Sequence, residues 1–169
     1  MSKRTALVLL GAVAAALVAL QLLPVDRSNP PASETVSAPP AVMSILRRAC
    51  FDCHSHETVW PSYSAVAPIS FLVAHDVAEG REHLNFSAWD RYDEQDRAKL
   101  RRKAWKEAAR GDMPLPIYLP LHSEARLSPA DVEQLRLWAE AAPSGGAAGA
   151  SAAGAEHDSG EQREHDRHD

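Results

Sequence analysis

Both cysteines of this 169-residue chain, Cys50 and Cys53, fall within one four-residue stretch, and His54 follows them directly. Nothing else in the sequence restricts the fold so tightly. Whatever uses these two sulfurs and this imidazole has to be served by a single turn of chain. The spacing C-x-x-C-H suits covalent haem attachment, while thiol redox centres and half-built zinc sites also use C-x-x-C. The remaining residues have to separate these chemistries.

The compartment comes from the N-terminus. Lys3 and Arg4 precede an apolar run from Ala6 to Val25 with Gln21 as its one clearly polar member. About twenty such residues are enough to cross a bilayer as a helix. The run ends in Leu22-Leu23-Pro24-Val25, a poor cleavage context, and Val36-Ser37-Ala38 lies too far downstream to serve as a signal-peptidase site. An uncleaved anchor over residues 1–25 is therefore favoured over a removed signal peptide. With positive charge in front of it, the remainder is sent across the membrane. Outside the cytoplasm two bare thiols tend to pair unless something else engages them.

Residues 26–40 carry Pro30, Pro31, Pro39 and Pro40 among small polar residues, and are expected to form an extended, mostly unstructured linker. Residues 143–169 lack aromatic and large aliphatic side chains and are expected to be a disordered acidic tail carrying His157, His165 and His168. That tail holds six acidic residues against Arg163 and Arg167, which accounts for −4 of the formal net charge of −5. The part between the two, residues 41–142, is nearly neutral and gives no sign of nucleic-acid binding.

Within residues 41–142 the hydrophobic spacing is helical. Val42, Ile45, Leu46, Ala49 and Cys53 make one apolar stripe, which predicts a helix running through the cysteine motif. Pro68 to Glu79 predicts a shorter helix ending at Gly80. Asp93 to Arg110 predicts a highly charged one stopped by Gly111. Ser128, Pro129 and Asp131 mark the start of a last helix whose buried face is Val132, Leu135, Trp138, Ala139 and Ala142. No alternating strand or hairpin signal is present, so the fold class is all-α with long loops.

In a helical turn Cys50, Cys53 and His54 project from one face. Two sulfurs then reach the vinyl groups of a porphyrin, and His54 supplies the proximal iron ligand. A redox dithiol requires a βαβ setting and a structural zinc site requires four ligands, and neither is supplied here. The distal ligand is sought in GDMPLPIYLPLH, residues 111–122. Gly111 releases the chain from its helix and Pro114 favours an extended Met113, so a stiff loop presents a thioether. Met113 is the expected distal ligand, with His122 and His75 as alternatives; Met43 reads as core filling. Trp60, Tyr63 and Tyr118, with Pro61, Pro68 and Phe71, are candidates for the pocket wall. Trp89 and Trp105 read as packing residues, and His56 and His83 as solvent-facing. Arg81 and Arg126 are candidate partners for haem propionates.

The first helix ending in ACFDCH, the methionine–proline loop and the capped SPADVEQLRLWAEAA resemble a small class I cytochrome c. More narrowly, CFDCHSHETVWPSYSAVAPISFLVAHDVAEGREHLNFSAW followed by MPLPIYLPLHSEARLS resembles the bacterial haem-binding domain family of c-type cytochromes. That resemblance implies one covalently bound haem c in a periplasmic or membrane-tethered domain, with Cys50, Cys53 and His54 on the attachment motif and Met113-Pro114 on its Met-Pro element. Ser62 stands where the family often has a second tryptophan, and Ser123 where a proline is common.

Together these features lead us to expect a mono-haem electron carrier rather than an enzyme. It would be held at the bacterial inner membrane with its haem domain in the periplasm (or be soluble there after signal cleavage). Its partners would be periplasmic or membrane redox proteins and the cytochrome c maturation machinery. The alternatives are a haem-based sensor with a displaceable Met113, and a haem-free thiol–disulfide protein.

Overall fold

Helix boundaries follow start and stop signals written in the chain, and the computed structural model, which describes residues 2–141, shows where tertiary contacts overrule them. Six α-helices and no strands occur among the described residues. The apolar run forms α1, Lys3–Gln21, long and apolar enough to be a membrane span or a signal sequence. Next come α2, Pro40–Ala49, and the single turn α3, Phe51–His54. The longer helices are α4, Ile69–His83, α5, Glu94–Arg110, and α6, Pro129–Glu140. An all-α fold is what the hydrophobic spacing predicts.

Capping explains the ends that were anticipated. Asp93 accepts the Asp96 N–H at the start of α5, and Ser128 and Asp131 form a reciprocal capping box on α6, with Pro129 at its first position. Gly111 closes α5 in the left-handed conformation, φ 77°. Its N–H reaches Ala108 C=O at 3.1 Å and the Asp112 N–H reaches Glu107 C=O at 3.0 Å, a Schellman pair that reverses the chain.

Three features depart from expectation. The helix predicted through the cysteine motif breaks at Cys50, where φ is −130°. Cys50 C=O then accepts from both Cys53 and His54 N–H, at 3.3 and 2.9 Å, starting the separate turn α3. The bend sends Phe51 into the core, where it stacks on Phe86 at 5.5 Å beneath the Arg47 guanidinium. The second departure is α4, which does not stop at Gly80 but continues to His83. A Cβ at Gly80 would sit 2.5 Å from Cys53 O, so this glycine permits close approach of α4 to α3 rather than ending a helix.

The third concerns residues 26–40, which are not the unstructured tether expected. Val36 is buried and donates its N–H to Phe86 C=O at 2.8 Å. Ser33 donates to Ser87 C=O at 3.0 Å, and Trp89 donates to Glu34 C=O at 2.9 Å. The prolines keep this segment extended, and its free backbone groups pair with the loop at residues 84–89.

That loop is wholly buried although irregular, so its polar groups need internal partners. Phe86 N–H donates to His54 C=O at 2.7 Å, Asn85 N–H to Tyr92 Oη at 3.0 Å, and Ser87 Oγ accepts from His56 N–H at 2.9 Å. The core forms where the loop meets α2 and α6, through Val42, Leu46, Phe51, Phe86, Leu135 and Trp138. Trp89 belongs to this core and Trp105 and Met43 pack against it. The acidic tail at residues 143–169, with its three histidines, and Ala142 of the predicted last helix face lie outside the described residues.

Candidate functional site

The imidazole of His54 is held from behind. Its Nδ1 lies 2.8 Å from Gly80 O and 3.0 Å from Leu84 O. Carbonyl oxygens only accept, so Nδ1 carries the proton and Nε2 keeps its lone pair. Burial pushes the pKa of His54 down, against the smaller opposing effect of the Leu84 and Gly80 carbonyls, which favours the neutral ring. Phe86 packs edge-on against it, with centroids 6.5 Å apart. A neutral, orientation-locked imidazole with a free Nε2 is the form that binds a metal.

His54 and Cys50 both line a cavity of about 270 Å³ whose walls are mostly apolar. Leu46 of α2, Phe86 of the buried loop, Leu100 and Ala104 of α5, and Leu135 of α6 complete its walls. Met113 and Pro114 line it too, brought there by the chain reversal after α5, where Met113 N–H also reaches Glu107 C=O at 3.3 Å. The fold thus gathers an imidazole, a thiol and a thioether, more than sixty positions apart from first to last, on one apolar space. Besides His54 and Cys50, the polar residues in its lining are His83, Lys103 and Glu107.

Both cysteines are free of disulfide. Burial raises the Cys50 thiol to about 12, reinforced by the neighbouring Cys53, and burial likewise raises Cys53 to about 11. These thiols are protonated and poor nucleophiles, the reverse of a redox-active C-x-x-C. Cys53 does not line the cavity; its backbone and Cβ lie against Gly80 of α4. Among the described residues no cluster of three or more His, Cys, Asp or Glu side chains is arranged to hold a metal ion.

Other expected site residues lie elsewhere. None of Trp60, Pro61, Tyr63, Pro68, Phe71 and Tyr118 lines the cavity. Tyr118 instead donates to Asp52 Oδ2 at 2.6 Å and stacks on His122, with centroids 3.9 Å apart. Tyr63 pairs with His122 Nε2 at 2.8 Å. These three rings therefore form a polar cluster around Asp52, and His122 is already engaged by its neighbours. The Tyr63 phenol is pushed up, by burial first. His75 lies on the surface beside Glu79, 3.7 Å away.

The arginines also differ from expectation. Arg81 is spent on a clamp, donating to Ser55 O at 2.8 Å, Ser28 O at 3.0 Å and Asn29 Oδ1 at 2.9 Å, and so does not face the cavity. Arg126 is exposed and absent from the lining. His56 is not solvent-facing: its ring bridges Pro31 O at 3.1 Å and Asn85 Nδ2 at 2.8 Å. Sequence reasoning missed Gly80, Leu84 and Phe86, whose roles depend on contacts rather than on any motif.

A family model described as a haem-binding domain matches residues 15–141. No curated protein and no solved structure matches the chain.

Proposed function

Because this chain belongs to the haem-binding domain family and is therefore a haem-binding protein, we propose that it is a membrane-tethered, mono-haem c-type cytochrome that carries single electrons. One observation carries this reading: the Nδ1-anchored imidazole of His54 lines the same apolar cavity as Cys50 and Met113. A porphyrin supplies four of an iron's ligands, so a haem site asks the protein for only one or two more. The donor set fits that need.

In this reading Cys50, on the cavity wall, and Cys53, one turn further on and outside the lining, would hold the haem by thioether bonds, with His54 and Met113 as the two iron ligands. When bound, haem supplies a one-electron ferric–ferrous couple. The protein's own groups set its conditions. Gly80 O and Leu84 O fix the ring of His54 and raise its basicity, which favours ferric iron. The thioether of Met113 and the apolar walls pull the other way, favouring the less charged ferrous state. Phe86, Leu100 and Leu135 exclude water, so the environment changes little when the charge changes.

The N-terminal match of the family begins inside α1, and Gln21 of that helix is hydrogen-bonded to the domain, which supports retention of the helix as an anchor. We read the protein as an electron carrier, not an enzyme, with redox partners in or beyond the membrane. Intact-mass analysis of denatured protein, produced in a host with a cytochrome c maturation system, tests the attachment. The expected mass is the chain plus one haem, lost in a Cys50→Ala, Cys53→Ala double variant. A wild-type mass equal to the bare chain would reject covalent attachment.

A further inference from the structure

The junction between α1 and the domain is not a loose hinge. Gln21 makes a two-way contact with the backbone of Ala67: its Nε2 donates to Ala67 O at 3.1 Å and its Oε1 accepts the Ala67 N–H at 3.1 Å. Arg27 adds a bond from Nη1 to Ser64 O at 3.3 Å. Residues from Leu20 to Val25 line a common cleft with Ser64, Ala65, Ala67 and Ser70. The end of α1 is therefore fixed to the start of α4.

Around this junction apolar side chains point outward. Leu22 and Leu23 follow α1 with 81% and 53% exposure, and Val66, Ile69 and Leu72 on the other side are 53%, 47% and 48% exposed. Single exposed apolar residues are ordinary. These differ because they are contiguous with a helix able to span a membrane, and because their face changes character with distance from it. Along the exposed side of α4, Ile69 and Leu72 give way to His75 one turn later and Glu79 two turns later. An apolar face that turns polar within one helical turn matches the depth profile of a bilayer interface.

We infer that Val66, Ile69 and Leu72 at the start of α4, with Leu22 and Leu23, are seated in the outer interface of the lipid bilayer that α1 spans. The inference rests on the proposed retention of α1 as an anchor and goes beyond it. The domain is held by two elements, a spanning helix and a shallow apolar foot, and the Gln21–Ala67 contact locks them together. The haem cavity then keeps one height and one orientation relative to the membrane. Electron exchange is thereby biased towards partners embedded in the same bilayer.

Photocrosslinking in the full-length, haem-loaded protein tests this. p-Benzoylphenylalanine is placed singly at positions Leu10, Ile69, Leu72, Glu79 and Leu121, all exposed, and the protein is reconstituted in phosphatidylcholine–phosphatidylglycerol vesicles. Lipid adducts, read by mass, are expected at Leu10, Ile69 and Leu72, several-fold above those at Glu79 and Leu121. Adducts at Leu10 but not at Ile69 or Leu72 would overturn the seated foot while leaving the anchor intact. Equal adducts at all five positions would overturn it as non-specific lipid contact. Absence of adducts at Leu10 as well would remove the anchor and the foot together.

Discussion

Replacing Gly80 by alanine is expected to loosen the site without touching any ligand. The added Cβ would fall 2.5 Å from Cys53 O, 3.0 Å from Cys53 C and 3.1 Å from Cys53 Cβ. Ordinary contacts begin near 3.4 Å, so α3 and α4 must separate by most of an ångström at the backbone. Neither can yield freely, because Phe86 N–H holds His54 C=O at 2.7 Å and the His54 ring holds Gly80 O at 2.8 Å. Overpacking of this kind costs about 1–3 kcal/mol, of which the better helix propensity of alanine returns up to about 1 kcal/mol. Because the clash is against backbone, the cost falls in the upper part of that range, and the expected net loss is about 1–2 kcal/mol, a fall in Tm of roughly 5–15 °C for a domain of this size.

A second consequence is electronic. Lengthening the bond to Gly80 O weakens the donation from Nδ1, makes the imidazole less basic and disfavours ferric iron. Half of an ordinary hydrogen bond, about 0.5 kcal/mol, corresponds to a rise of about 20 mV in the one-electron midpoint potential. Thermal melts and redox titration of the haem-loaded Gly80→Ala variant measure both. A variant with unchanged Tm and unchanged midpoint would refute the close approach of α4 to α3 and its role in holding His54.

Other predictions follow from the same geometry. Met113→Ala should keep its haem yet bind carbon monoxide readily, whereas the parent protein resists it; ready binding by the parent would instead favour the sensor reading. His122→Ala and His75→Ala should leave carbon monoxide resistance unchanged, since neither lines the cavity. Lys103→Ala should lower the midpoint by roughly 15–40 mV, because removing an exposed cation worth about 0.3–1 kcal/mol stabilises ferric iron. Asp131 is pushed up by burial but held lower, at about 2, by hydrogen bonds from Arg48 and Ser128. A depressed carboxylate contributes stability above its unfolded value of 3.8 and loses it as pH falls through the folded value. Chemical denaturation between pH 4 and pH 2 should show about 1 kcal/mol of acid loss after allowing for solvent screening, and Asp131→Asn should flatten it.

How much of this is legible in the sequence depends on the range of the interaction. Caps are local, so Asp93, Gly111 and the Ser128–Asp131 box announce their helices. Cys50, His54 and Met113 stand out by residue type and spacing, and the fold brings these three to one cavity, though not Cys53. What fails is anything decided by a distant partner. The stripe from Val42 to Cys53 hides the break at Cys50, which exists to place Phe51 against Phe86. Gly80 looks like a helix stop until α3 is laid against it. The aromatic residues Trp60, Tyr63 and Tyr118 look like pocket material by composition, yet Asp52 and His122 claim two of them elsewhere. The prolines of the linker say extended, and only the unpaired backbone of residues 84–89 says docked.

If His54 and Met113 ligate one haem in the apolar cavity, that haem exchanges single electrons. A spectroscopic redox titration of the full-length protein in detergent, run beside Met113→Ala, tests it most directly. One reversible one-electron transition is expected, with a sulfur-to-iron absorption in the oxidised parent and loss of that absorption with a lower midpoint in the variant. Persistence of the band in Met113→Ala, or a parent protein showing no one-electron transition at all, would contradict it.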